Sequence, residues 1–432
     1  MPAEQTRGAR RRATIALILT YANFAVLLNS VGTVILQSIA SFGVGARDAA
    51  ILEAFKDLPI AIVSFAVAAF LPRLGYRRGM MVGLAIVTVA CAAMPLAPGF
   101  LTAKILFLAV GVSFALVKTA TYAMIGLLTR DDRGHAALTN LIEGLFMVGV
   151  LAGYWLFSAF IDPADPGALG WLDVYWVLAA VSAANLLLLL LSPMDESGSR
   201  IAGVPPIEEA RAMVALLARA AVVAFVAAAF LYVLIEQSVG SWLPTFNATV
   251  LHLPQAMSVQ AASLYAATLA IGRMAAGVLI RGAGWLPVLL GCVAGMLAVI
   301  LIVVPLAEGL TPRPGMTWAD APLATYAMPL IGLFLAPIYP TINSVILSSL
   351  PRTRHAAMAG LMIMFSALGG TTGSFITGRM FAAFGGTTAF RLVIVPVLLL
   401  ALALAMLRRL ARPAAAATGP EDGPHPITPL SA

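Results

Sequence analysis

Charge is the scarcest property of this chain. Only 10% of its 432 residues are Asp, Glu, Lys or Arg, where a soluble domain carries about 25%. So few charges cannot clothe a water-facing surface for a chain of this length, which excludes a soluble globular fold. Cysteine is nearly absent. Cys91 and Cys292 both sit in apolar runs, where a thiol packs as a small hydrophobe. The four histidines are scattered, and no His/Cys/Asp group has metal-ligand spacing. No phosphate-binding loop, nucleophile elbow or paired-carboxylate signature is present. The sequence therefore offers no catalytic residue, no metal site and no cofactor, and an enzyme is not expected. The formal net charge is +7, but no basic patch is interleaved with aromatics, so nucleic acid is not an expected partner.

What the chain has in quantity is apolar length, at 61% hydrophobic residues. A hydrocarbon core about 30 Å thick takes roughly 20 apolar residues per helix. Twelve segments of that kind occur, over 13–37, 50–71, 79–97, 103–128, 136–160, 171–192, 213–241, 258–280, 285–306, 323–348, 356–382 and 388–408. Gly, Pro, Asp and Arg fill the breaks between them, as turns and membrane interfaces require. The lipid bilayer is thus the expected surroundings. The N-terminal stretch MPAEQTRGARRR leads into an apolar run too long for the core of a signal peptide. It reads as a first spanning helix.

Basic residues gather on the cytoplasmic side of membrane proteins. With the N-terminus inside, seventeen of the 26 Lys and Arg fall on cytoplasmic connections and five on outer ones. Both termini are therefore expected in the cytoplasm of a multi-pass protein of the cell inner membrane. The longest polar connection follows the sixth segment. The expected organisation is a tail over 1–12, a six-helix bundle over 13–192, a cytoplasmic linker over 193–212, a second bundle over 213–408, and an Ala/Pro/Gly-rich disordered tail over 409–432.

The halves repeat each other. Ala68-x-x-x-Pro72-Arg73-x-Gly75-Tyr76-Arg77-Arg78 follows the second segment, and Gly277-x-x-x-Arg281-Gly282-x-Gly284 follows the eighth. RDDRGHAAL (130–138) precedes a helix bearing Gly149 and Gly153; PRTRHAAMA (351–359) precedes one bearing Gly369, Gly370 and Gly373. Parallel six-helix halves predict a pseudo-two-fold axis along the membrane normal, with a solute site between them near the midplane.

The turn with Arg73, Gly75 and Arg77 resembles the Gly-x-x-x-Asp-Arg-x-Gly-Arg-Arg motif of the major facilitator superfamily. Ala68, Pro72 and Tyr76 depart from it. Gly272-Arg273-Met-Ala-Ala-Gly277 is similar to that superfamily's eighth helix. Within it, the nearest likeness is to the fucose–proton symporter family. Tyr232, Glu236, Gly240, Trp242, Leu243 and Pro244 resemble its seventh helix, GLFLAPIYPTINS (332–344) its tenth, and Asn140-Leu-Ile-Glu143 the start of its fifth. Lys118 stands where the fucose permease has a functional carboxylate. The resemblance implies an all-α membrane fold of twelve helices in two pseudo-symmetric bundles, working by alternating access.

Ionisable residues inside a spanning helix cost roughly 2.5–3.5 kcal/mol on insertion scales. Lys118 lies about 15 Å and Glu143 about 10 Å from the cytoplasmic surface at 1.5 Å per residue. On one hairpin they either form a structural pair or serve solute and proton. Lys56 and Asp57, with Glu53 one turn away, make either an outer-gate ion pair or part of the cavity. Arg273 either latches its helix or meets an anionic solute. Expected solute contacts are Lys118, Tyr122, Asn29, Glu236, Gln237, Trp242, Tyr339 and Asn343. Expected proton-coupling carboxylates are Glu143, Glu236 and Asp57. Expected gating residues are Arg73, Arg77, Arg78 and Arg273. Tyr21, Gln37 and Tyr265 are further polar groups on the same helices.

The sequence reading is a monomeric secondary active transporter for a small polar or anionic, sugar-like solute, coupled to H+. One alternative is an efflux antiporter for amphipathic compounds, against which the missing Pro after Gly149-Val-Leu-Ala-Gly153 argues. The other is a non-transporting membrane sensor, which would carry an added soluble domain.

Overall fold

The computed structural model describes residues 7–129, 132–192, 206–313, 315–351 and 354–410. The tail from 411, the segment 193–205 and Arg130 lie outside them. Every regular element among the described residues is helical. Pass 1 is α1 (Arg7–Asn29) with α2 (Val31–Phe42), followed by the one-turn α3 (Ala46–Ala49). Passes 2 to 6 are α4 (Ile51–Leu74), α5 (Tyr76–Leu96), α6 (Phe100–Leu128), α7 (Asp132–Ser158) and α8 (Val174–Leu190). A connecting helix, α9 (Pro206–Leu216), precedes pass 7, which is α10 (Ala220–Gly240) with α11 (Leu243–Thr249). Passes 8 and 9 are α12 (Gln255–Ala283) and α13 (Trp285–Leu306). Pass 10 is α14 (Leu323–Ala327), α15 (Leu330–Leu335) and α16 (Ile338–Ser348). Passes 11 and 12 are α17 (His355–Leu392) and α18 (Ile394–Leu410).

Among the described residues nine helical segments are long and apolar enough to cross a membrane. One of them, Ala357–Leu410, holds two passes. At 38 residues α17 would be about 57 Å long, nearly twice a bilayer core. It turns at Gly385, where φ is 79° and ψ 169°. Helices α4 and α12, 24 and 29 residues long, complete the twelve.

Passes that read as continuous in sequence are broken in space, each for a local reason. Pass 1 breaks at Ser30, whose hydroxyl bonds the Leu27 carbonyl at 2.8 Å while Asn29 Nδ2 bonds the Ala25 carbonyl at 2.9 Å. Such side-chain bonds compete with the helical ladder. Pass 10 breaks at Pro329 and Pro337, which supply no N–H. Pass 7 restarts after Trp242 with Pro244 in the first turn of α11, where a missing donor costs nothing.

The internal repeat is visible in how the helices touch. In the first bundle Gly149 and Gly153 of α7 face Ala22 and Val26 of α1. In the second, Gly369 and Gly373 of α17 face the backbones of Phe230 and Leu234 on α10. Both pairs of glycines are four residues apart, and so are both pairs of partners. Small residues of this kind bring backbones close where no hydrophobic force drives helices together. Gly75 and Gly284 close the equivalent turns after passes 2 and 8 with φ of 95° and 78°, a left-handed region that other residues enter at a cost.

Polar side chains tie pass 1 to pass 6. Asn23 Nδ2 donates to Ser182 Oγ at 2.8 Å and Asn185 Nδ2 to Thr20 Oγ1 at 2.7 Å, both bonds buried. Such bonds contribute about 0.6 kcal/mol each on average in helical membrane proteins.

Candidate functional site

A cavity of about 620 Å³ lies between the bundles, within the range of small-molecule sites. Its walls come from passes 1, 2, 4 and 5 on one side and 7, 8 and 10 on the other.

The first-bundle wall is aromatic around two charges. Tyr21 packs on Phe146, Phe114 and Tyr122 with ring centres 5.1, 6.0 and 6.4 Å apart. Glu143 Oε1 accepts hydrogen bonds from Tyr21 OH at 3.3 Å and from Tyr122 OH. Lys118 Nζ stands 5.7 Å from the centre of the Phe114 ring. Lys118 and Glu143 thus share one wall, but no ion pair within 4.0 Å joins them.

On the opposite wall Glu236 accepts at Oε1 a hydrogen bond of 3.2 Å from the OH of Tyr232, which is buried behind it. Tyr232 stacks on Tyr339 at 5.1 Å, and Tyr339 OH bonds Ser366 Oγ at 3.0 Å. Arg273 stands beside Tyr232 and Glu236 and reaches across to Met147 Sδ of the first bundle at 3.7 Å.

The end of the cavity away from the chain termini is closed by a charged cluster. Lys56 Nζ bonds Glu53 Oε1 and lies 3.5 Å from Asp57 Oδ1. Ser241 Oγ, on the other bundle, is 2.9 Å from both Glu53 Oε2 and Gln237 Oε1; its one proton serves one of them at a time. Glu53, Lys56 and Asp57 are 0%, 5% and 8% exposed, whereas Tyr122, nearer the terminal face, is 38% exposed. At the same level Gly32 abuts the Ser241 backbone, and Gly378 abuts Ala46 and Ala50. Gln260 Nε2 donates to Ser158 Oγ at 3.2 Å, and Trp155 stacks on Trp318 at 6.4 Å. The bundles are therefore sealed together at this face, and the cavity opens toward the face that carries both termini.

Asn29, Asp57, Lys118, Tyr122, Glu143, Glu236, Gln237, Arg273, Tyr339 and Asn343 all line the cavity. Trp242 does not. It is fully buried, donates from Nε1 to Ser374 Oγ at 3.0 Å and stacks on Phe381, so it packs pass 7 against pass 11. Gln37 is fully buried as well and lies off the cavity wall. Arg77 donates from Nε and Nη2 to the carbonyls of Leu189 and Leu190 at 2.9 and 2.8 Å. That places a cation at the negative end of α8. Arg78 is exposed, and the side chain of Arg73 lies outside the described residues.

Sequence reasoning missed Phe114, Phe146, Tyr154 and Ser241. Phe114 precedes Lys118 by four residues and Phe146 follows Glu143 by three. Both spacings put ring and charge on one helical face, a signal that was available. Nothing local marks Ser241, whose partner Glu53 is 188 residues away.

Comparison with known proteins gives the geometry its context. A bacterial homologue of the human lysosomal transporter Spinster, in an inward-facing and unoccupied conformation, matches with a TM-score of 0.74 at 15% identity, over 94% of this chain and 98% of that one. The nucleoside transporter NupG matches at 0.70 and 14%, over 92% and 99%. The Major Facilitator Superfamily transporter FucP, in the outward conformation, matches at 0.59 and 17%, over 94% and 100%. At these identities the likeness is one of fold. Comparison with curated sequences gives no match. The family model of the Major Facilitator Superfamily matches residues 13–373, which span the first ten passes and enter the eleventh. The chain is a membrane transporter that belongs to the Major Facilitator Superfamily.

Proposed function

We propose that the protein is a proton-coupled symporter of a small polar, anionic solute, working by alternating access in the cell inner membrane with both termini cytoplasmic. The observation that carries the reading is Lys118, a cavity cation that lies 5.7 Å from the centre of the Phe114 ring and has no described carboxylate within 4.0 Å, Glu143 standing on the same wall beyond that reach. A solute carboxylate would supply a close ion-pair partner. The motif likeness to fucose–proton symporters supports a polar solute, and the replacement of that family's acid by Lys118 turns the choice toward an anion.

Proton coupling follows from counting charges. Glu53, Asp57, Glu143 and Glu236 meet Lys56, Lys118 and Arg273 at the centre of the molecule. Four carboxylates against three cations leave one negative charge if all ionise. Burying an unpaired charge costs several kcal/mol, so the empty centre holds one proton. Two carboxylates share Lys56 at the closed end, which makes Glu53 and Asp57 the place for that resident proton. An arriving anion brings a second negative charge and calls for a second proton. Glu143, on the same wall as Lys118, is the carrier for it, with Glu236 facing it across the cavity beside Arg273.

The test is uptake into proteoliposomes from a panel of organic anions and sugars under an imposed pH gradient. The native protein accumulates its solute against a concentration gradient. Glu143→Gln, neutral at every pH, still exchanges solute but no longer accumulates it. Accumulation by Glu143→Gln equal to the native protein would remove Glu143 from coupling. Uptake of sugars alone would remove the anion.

A further inference from the structure

We infer that the solute is an aromatic monocarboxylate, held with its ring among Tyr21, Phe114, Tyr122 and Phe146 and its carboxylate on Lys118; this rests on the anion reading above. Two observations carry it. The first is the cage itself. Those four rings belong to three helices, line the cavity and converge on Tyr21. Aromatic pairs stack or meet edge to face, so a flat ring entering here finds partners for both its face and its rim.

The second is hydrogen-bond accounting. A sugar needs a donor or acceptor for nearly every hydroxyl, and a site that leaves them unmade rejects it. Most polar groups of this cavity already bind one another. Tyr21 and Tyr122 bond Glu143, Tyr232 bonds Glu236, and Tyr339 bonds Ser366. Asn29 Nδ2 bonds a carbonyl of its own helix, and Ser241 serves Glu53 and Gln237. Arg273 stands beside Tyr232 and Glu236. Lys118 lies against the Phe114 ring with no described carboxylate within 4.0 Å, and the Oδ1 atom of Asn343 is buried without a partner. Lys56 is held by Glu53 and Asp57, and Arg273 stands beside Glu236, so Lys118 among its four rings is the cation left for a solute with one charged head and an apolar ring, and suits it better than a polyol. An organic cation would also suit aromatic rings, but Lys118 lies against Phe114 and repels it.

Purified full-length protein in liposomes with an inward proton gradient is offered benzoate, acetate, galactose and tetramethylammonium in turn. Benzoate is taken up with a KM at least tenfold below that of acetate. Phe146→Leu reduces this benzoate-to-acetate preference about tenfold, and Phe146→Tyr, which keeps the ring, restores it. Phe114→Leu and Phe114→Tyr repeat the comparison should Phe146→Leu fail to fold. Acetate uptake at equal efficiency, or an unchanged preference in both leucine variants, overturns the aromatic cage and leaves the anion symporter standing. Galactose uptake without benzoate uptake overturns both the cage and the anion. Tetramethylammonium uptake does the same and inverts the role of the cage. Transport of none of the four overturns the inference.

Discussion

A lysine at the centre of a spanning helix carries a desolvation cost of roughly 2.5–3.5 kcal/mol, and Lys118 recovers part of it from the face of Phe114. The remainder is available to a solute carboxylate. Truncating one partner of a buried charge pair costs about 2–5 kcal/mol. Lys118→Gln is therefore expected to raise the Kd of a bound anion by roughly 30-fold or more, and Lys118→Arg to recover a good part of it, as isothermal titration would measure. An unchanged Kd in Lys118→Gln would take the residue out of the site. Depth arithmetic on the sequence reaches Lys118 and Glu143 because a charge inside an apolar run is visible without a fold. It cannot reach their true neighbours. Glu143 is bonded to Tyr21, 122 residues away, and not to Lys118. Trp242 shows the converse: a polar aromatic near a cavity helix looks like a ligand, and only the packing of pass 7 on pass 11 turns it inward to Ser374.

Helices in this fold touch through glycine, and the consequence of enlarging one depends on which surfaces it separates. Gly373 faces Leu234 within one bundle. Overpacking there costs about 1–3 kcal/mol. Gly373→Leu is expected to lower the detergent melting temperature and the yield of folded protein, read by fluorescence-detected size exclusion. Gly32 faces Ser241 across the two bundles. Gly32→Leu is expected to leave each bundle folded and to wedge them apart. Spin labels at Asp48 in α3 and Thr249 at the end of α11, exposed positions of the two bundles at the closed face, should then report a longer distance. Equal melting losses in both variants, with no change in that distance, would count against the distinction. The glycine repeat is legible in the sequence as spacing. The breaks in passes 1, 7 and 10 are less so. Hydropathy averages over the Pro329, Pro337 and Pro244 restarts, and the Ser30 break depends on a hydroxyl choosing a backbone carbonyl.

The whole molecule is sealed at one face and open at the other. The seal combines an ion cluster, a backbone contact and a tryptophan stack, which are surfaces that separate without unfolding either bundle. If the sealed face is periplasmic, reporter fusions after Met406 and after Ser197 behave as cytoplasmic. A periplasmic signal at either would invert the arrangement. The twelve-pass, two-bundle plan was legible from length, apolar fraction and the repeated turns, because bilayer thickness sets a ruler that composition can be read against. Which face is closed was not. That depends on Ser241 meeting Glu53 and Trp155 meeting Trp318, contacts between residues that share no local pattern.

The uneven charge count at the centre also has an electrical meaning. A membrane potential of 100 mV acts on each uncompensated elementary charge with about 2.3 kcal/mol. If the loaded centre carries anion and two protons, and the empty centre returns with its resident proton, neither crossing moves net charge. One proton then accompanies each monoanion, and the cycle draws no current. Electrodes on a solid-supported membrane should register only a brief binding transient, and a potassium diffusion potential should leave the uptake rate unchanged at constant pH gradient. A sustained current of inward positive sign would mean that the empty carrier returns stripped of the proton shared by Glu53 and Asp57, so that the cell's voltage as well as its acidity drives accumulation.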